Sequence, residues 1–244
     1  MHSKYSKHFS LLLASACLFN MPAHANISIF PVKLFISGDK GQRSTTAHLI
    51  SSSDEKSKSY EVSVFRWTQD ASGQDVLTPD TELMVNPQSF VLEADTRRMI
   101  RMGFTQPVSA MQLKEEAAWR VVFNPLPDAE KAQGVRFAYG FNIPLFAGNG
   151  FQPDMSFKLT KNAQHEPVLL AKNAGTAHFQ IAEFTVQNTT GKTLYSSNEL
   201  KYVLPHKQAQ FNLKNFTVPA GTPLKLVTKT PDSRTLSFDI VEEQ

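Results

Sequence analysis

Four histidines lie beyond residue 25: His48, His165, His178 and His206. No two of them are spaced to hold a metal together. His165-Glu166-Pro167 imitates the start of a zinc-binding helix, but Pro167 removes an N–H that such a helix needs and its ring clashes with the preceding turn. The chain contains no G-x-S-x-G, no H-E-x-x-H and no G-x-x-x-x-G-K-[ST], so the nucleophile, zinc-protease and phosphate-loop patterns are absent. It has 22 acidic residues, and a glycosidase pair among them is a question of distance that sequence does not answer. No catalytic residue, metal ligand or cofactor is therefore assigned. What remains is non-covalent chemistry: strand pairing, apolar burial and ion pairing.

The stretch Gly134-Val135-Arg136-Phe137-Ala138-Tyr139-Gly140-Phe141-Asn142-Ile143-Pro144-Leu145-Phe146 is the most informative. Val135, Phe137, Tyr139, Phe141 and Ile143 alternate with small or polar residues, so a strand here carries five large apolar groups on one face. One reading packs that stripe into the protein's own core. A second reading follows from Gly140 and Pro144. Glycine weakens a strand interior and proline cannot donate a ladder hydrogen bond, so both suit an edge. An edge strand with a long apolar stripe invites pairing, a hazard that proteins normally suppress. Left open, it fits addition to a partner's sheet. The segment 124–134 before it is short and predicts a compact hairpin rather than a long arm.

The first 25 residues read as an address. Lys4 and Lys7 precede an apolar run over residues 9–19, and Ala23-His24-Ala25 is an A-x-A cleavage signal. The run is too short to span a bilayer. Lipid attachment at Cys17 is the rival reading, weakened because Leu13 stands one place too far back. Cleavage after Ala25 leaves residues 26–244 with no cysteine. Losing Lys4 and Lys7 from the 25 basic residues leaves 23 against 22 acidic, a formal charge of +1. That balance gives no basic face for nucleic acid. Nothing in the mature chain argues for stable membrane insertion.

The rest reads as strands: 27–36, 45–51, 59–69, 99–104, 118–123 and 135–146 in one set. A second set covers 155–160, 168–172, 179–187, 202–204, 208–213, 224–228 and 235–241. Turn residues such as Ser37-Gly38-Asp39 and Asp70-Ala71-Ser72-Gly73 separate them. Residues 108–117 form the one helix-like run. Two glycines and Pro153 within 147–154 divide the sets. The expectation is an all-β protein of two sandwiches, 26–147 and 148–244, behind a signal peptide at 1–25.

In this light the chain resembles the periplasmic pilus chaperones of the chaperone–usher pathway, the PapD-like family. Ile29-Phe30-Pro31-Val32-Lys33-Leu34 is similar to the family's first strand with its basic residue. Ser59 to Trp67 is similar to the strand that ends in an aromatic. Asn86-Pro87, Phe90-Val91-Leu92-Glu93-Ala94 and Arg98-Met99-Ile100-Arg101 resemble the P-x-x-F-x-L-x-P…IR segment. Trp119-Arg120-Val121-Val122-Phe123 with Pro125-Leu126-Pro127 resembles the Y-R-hydrophobic…IP segment. Asn173-Ala174-Gly175 and Val203-Leu204-Pro205 stand where the second domain has N-x-G and V-L-P-G. The match runs in order along nearly the whole mature chain. Three departures stand out: Pro144 replaces the family's later basic residue, Pro125 an acidic one and His206 a glycine; the first of them suggests a divergent, non-classical branch.

The resemblance implies two immunoglobulin-like β-sandwich domains in a boomerang arrangement, located in the periplasm of a Gram-negative bacterium. It implies donor-strand complementation of pilus subunits, with Val135, Phe137, Tyr139, Phe141 and Ile143 as the donated stripe, and delivery to an outer-membrane usher. It implies that basic residues hold the subunit's C-terminal carboxylate. Lys33 is the first of them. It alternates in phase with Ile27, Ile29 and Phe35, which sets its charge on a largely apolar face where an anion is wanted. Arg101 is the candidate for the second, since Pro144 removes the usual one. Two other classes stay open: an exported pilus subunit or adhesin, and an exported hydrolase or carbohydrate-binding protein.

Overall fold

The computed structural model describes residues 27–53, 56–127, 140–219, 221–230 and 233–242. In the N-terminal part the strands are β1 (Ile27–Phe30), β2 (Leu34–Ser37), β3 (Ser44–Ser51), β4 (Lys58–Gln69), β5 (Asp75–Pro79), β6 (Met84–Asn86), β7 (Ser89–Leu92), β8 (Arg97–Gly103), β9 (Ala117–Pro125) and β10 (Phe141–Gly148). They build two sheets. One has the order β1-β3-β8-β6, the other β2-β10-β9-β4-β5 with β7 also paired to β4. Alternation explains both. In β9, Ala117, Trp119, Val121 and Phe123 point inward and are fully buried or nearly so. In β8, Ile100 and Met102 point inward while Arg101 is exposed. Each large side chain so buried contributes roughly 1.5–3 kcal/mol.

The second part holds β11 (Met155–Lys161), β12 (Pro167–Asn173), β13 (Phe179–Ile181), β14 (Phe184–Asn188), β15 (Thr193–Ser197), β16 (Lys201–Val203), β17 (Gln208–Asn212), β18 (Leu224–Lys229) and β19 (Thr235–Glu242). Its sheets are β15-β14-β18-β19-β11-β12-β17 and the ribbon β13-β16. They enclose a separate core containing Phe157, Ile181, Val186, Phe211 and Leu226. No sheet takes strands from both sides of residues 149–154 among the described residues. The architecture is two immunoglobulin-like β-sandwiches.

Three sequence expectations are corrected here. The segment 27–36 is two strands rather than one: β1 pairs with β3, β2 pairs with β10, and the chain changes sheets between them. The alternation therefore resets, with Ile27 and Ile29 buried in one sheet and Leu34 and Ile36 in the other. Residues 108–117 hold only a 3-10 turn, Val108–Ala110, and then lead into β9. The span 179–187 is broken into β13 and β14, which lie in different sheets.

A third apolar cluster joins the sandwiches: Trp67, Ala118 and Phe146 from the first, Tyr202 and Leu204 from the second. Gln69 is buried in this seam, donating to the Tyr202 carbonyl at 2.9 Å and accepting from the Leu204 N–H at 3.0 Å. Asn173 is fully buried beneath it and donates to the carbonyls of Ala177, Val203 and Leu204 at 2.7–3.2 Å. Its Oδ1 accepts the N–H groups of Asp154 and Gly175. One amide thus ties the linker to the second sandwich. Gly175 is needed because a Cβ there would lie 2.4 Å from backbone atoms of Gln152 and Asp154.

Candidate functional site

The site grows from the position of β10. Its residues Leu145–Ala147 lie between β9 and β2, antiparallel to the first and parallel to the second. Over Phe141–Pro144 it pairs with β9 alone, and no other strand among the described residues takes its second edge. The strand is thus internal at one end and an edge at the other. Phe141 packs half-buried against the first core and Ile143 is buried in it. Val135, Phe137 and Tyr139 fall outside the described residues, as does most of the expected hairpin.

The opposite face of the same sheet looks toward the second sandwich. There Pro144 stands directly across from Arg120 on β9, and Phe146 stands across from Ala118 and beside Phe35. Continuing the parallel register of β2 back by one residue brings Lys33 beside Pro144. Lys33, Pro144 and Arg120 therefore form one row across three strands, spanning about 10 Å at two strand spacings.

The two cations of this row are held differently. The Lys33 ammonium donates to Gln180 Oε1 on β13, in the other sandwich, at 3.3 Å. Burial lowers its pKa below that of free lysine, and the charge of Glu116 partly offsets this. The Arg120 guanidinium turns away from Lys33. It lies 3.7 Å from the Trp67 ring centroid, 5.6 Å from that of Tyr202, and 3.5 Å from Asp75. Burial lowers its pKa and Asp75 opposes that effect. With Lys201 and Glu199 these residues line a groove of about 580 Å³ along the seam. Arg120 is a binding candidate that the sequence reading missed. The alternation of Trp119-Arg120-Val121 was its signal, since with Trp119 buried Arg120 must face out of the sandwich.

Arg101 is not brought to Lys33. It belongs to the other sheet, faces away from the shared core, and gives both hydrogen bonds to Ser44 Oγ, at 2.8 and 3.0 Å. The phase argument for Lys33 changes as well. Ile27 and Ile29 lie across the sheet switch, so the residue in phase with Lys33 is the half-exposed Phe35, on the face toward the second sandwich.

Glu116 completes the surroundings. It is buried, its Oε1 accepts the backbone N–H of His178 at 3.0 Å, and it pairs with Nδ1 of the same imidazole. That ring is stacked on Phe146 at 3.6 Å. His206 lies in the left-handed conformation that favours glycine, at φ 58°, and meets Glu115 at 3.3 Å. Among the described residues no group of three His, Cys, Asp or Glu is placed to hold a metal ion. Likewise no helix is long and apolar enough to cross a membrane.

No family model and no curated protein matches the sequence. Solved structures do match in fold. One is the CsuC–CsuE chaperone–tip adhesion subunit complex of archaic Csu pili from Acinetobacter baumannii. It is 18% identical over 90% of this chain and 100% of that one, with a TM-score of 0.66. This is the fold of the pilus chaperones. The E. coli chaperone DraB matches at 14% identity, 89% of this chain, 96% of that one and TM-score 0.58. The Salmonella enterica SafA pilin–SafB chaperone complex matches at 15%, 88%, 95% and 0.55.

Proposed function

We propose that this protein is a periplasmic chaperone for pilus subunits that works by binding alone. It pairs its β10 edge with an incomplete subunit, fills that subunit's groove with apolar side chains, and passes it to an outer-membrane usher. Domains 26–147 and 148–244 carry the function after residues 1–25 are removed on export. The observation that carries the reading is β10 itself: anchored on both sides over Leu145–Ala147, paired on one side over Phe141–Pro144. Such a strand is rigid at its base and open to augmentation beyond it. Val135, Phe137 and Tyr139 supply the stripe ahead of the core, with Phe141 at the crossover.

Lys33 sits at the root of that edge, where an added strand would end. A chain-terminal carboxylate fits there, because a partly desolvated ammonium gains from an anion. CsuC and SafB were each solved in complex with a subunit, which supports the same role here. The test is co-expression in the periplasm with a pilus subunit, followed by size-exclusion chromatography. The expected result is a soluble one-to-one complex; subunit that aggregates equally with and without this protein would refute the reading.

A further inference from the structure

The anchoring site has one cation where two are wanted. Pro144 contributes no donor, and the Arg120 guanidinium is committed to Trp67 and Asp75. The second donor must then come from elsewhere in the row. Lys33 Nζ makes one hydrogen bond among the described residues, to the side chain of Gln180, which reaches it from the second sandwich. An ammonium only donates, so it fixes the orientation of the amide: the oxygen faces Lys33 and the NH₂ group is turned to the other side of the planar head. That NH₂ has no hydrogen-bond partner among the described residues.

We propose that Gln180 is the second anchor for the subunit's C-terminal carboxylate, completing with Lys33 a two-donor cradle built across the domain seam. Lys33 supplies charge and one N–H; the Gln180 NH₂ supplies a neutral second donor. A carboxylate offers two oxygens with about four acceptor sites, enough for both. Glu116, the nearby anion, makes no ion pair with Lys33 among the described residues; His178 holds its Oε1 through both the backbone N–H and the imidazole, and its charge acts on Lys33 only through space. The arrangement makes the second sandwich part of the binding site. It also accounts for the tolerance of proline at position 144: the donor lost from the first sandwich is replaced from the second.

This inference rests on the chaperone reading, and the experiment separates the two. The probe is a synthetic peptide of the C-terminal strand of a subunit that the wild-type protein captures, prepared with a free carboxylate and with a C-terminal amide. Failure of the wild-type protein to capture any subunit overturns the chaperone reading itself. Equal wild-type binding of acid and amide overturns carboxylate anchoring. Given a preference for the acid, Gln180→Met keeps the length of the side chain and removes both polar atoms. It is expected to weaken the acid peptide about tenfold or more, the value of one charge-assisted hydrogen bond, and to leave the amide nearly unchanged. Gln180→Glu places an anion against Lys33 and is expected to lose more of the acid peptide than Gln180→Met. Weakening of both peptides by the same factor would assign Gln180 a structural role only, and no weakening of the acid peptide would exclude it from the site.

Discussion

Lys33 concentrates the residue-scale chemistry. A half-buried ammonium whose one hydrogen-bond partner is a neutral amide, and whose burial the charge of Glu116 offsets only in part, still gains from an arriving carboxylate. Lys33→Glu is expected to abolish subunit capture while the far-ultraviolet circular dichroism stays native. Arg101→Glu, on the far side of the sandwich, is expected to leave capture unchanged; the reverse pattern would move the anchor to the other sheet. The lowered pKa sets a pH dependence. Capture needs the charged form, so affinity falls as pH rises through a value below 10.5, earlier than for an exposed lysine. Titrating capture from pH 7 to 10 checks this, with Lys33→Arg as the variant that stays charged. An identical slope in both proteins would remove Lys33 as the titrating group. The free protein carries the opposite sign. Its unfolded chain holds that proton more tightly than the fold does, so stability rises with pH between the two values. Lys33 was legible in the sequence as a basic residue within Ile29-Phe30-Pro31-Val32-Lys33-Leu34, and the structure places it beside Pro144. Its partner Gln180 was not, because 147 positions separate them and no local pattern links an ammonium to a remote amide.

At the scale of an element, β10 changes duty along its length. The alternation of apolar residues was readable, and so was the edge signal from Gly140 and Pro144. What the pattern could not place is the crossover from own core to partner, since period-two alternation looks the same on either side of it. The register settles it for the described half: Ile143 is buried among the residues of the first core. Ile143→Ala is therefore expected to cost about 2–5 kcal/mol in urea unfolding, as core truncations do. Phe137→Ser with Tyr139→Ser is expected to leave folding and export intact and to abolish subunit retrieval. If the double variant unfolds instead, the whole stripe is core and β10 lends nothing. The sheet switch between β1 and β2 was hidden for a related reason: a run of apolar residues continues through it, and only pairing partners reveal that the face has changed.

Across the whole molecule, the proposed cradle ties function to the seam, because Lys33 and Gln180 belong to different sandwiches. The seam is set by a stiff turn as well as by aromatic packing. Asp70 Oδ1 accepts the N–H groups of Ser72 and Gln74 and the Ser72 hydroxyl, at 2.7–2.9 Å, and these bonds hold its pKa below the usual carboxylate value. The turn so fixed presses Gly73 onto the second sandwich. Gly73 has φ 85°, and a Cβ there would stand 2.2 Å from the Gln208 carbonyl oxygen. Gln208 Nε2 answers by donating to the Ala71 carbonyl at 2.7 Å. Gly41 provides the control. It also has positive φ, at 59°, but nothing lies within 4 Å of its missing Cβ. Gly41→Ala should cost only the backbone strain, about 1–2 kcal/mol. Gly73→Ala should cost that strain and also force the sandwiches apart, adding about 1–3 kcal/mol of overpacking. Calorimetry is the measurement. The wild-type protein and Gly41→Ala are expected to melt in one transition, and Gly73→Ala in two, with acid-peptide affinity reduced as Gln180 withdraws from Lys33. If Gly73→Ala melts and binds as Gly41→Ala does, the seam yields without consequence and the two sandwiches act independently.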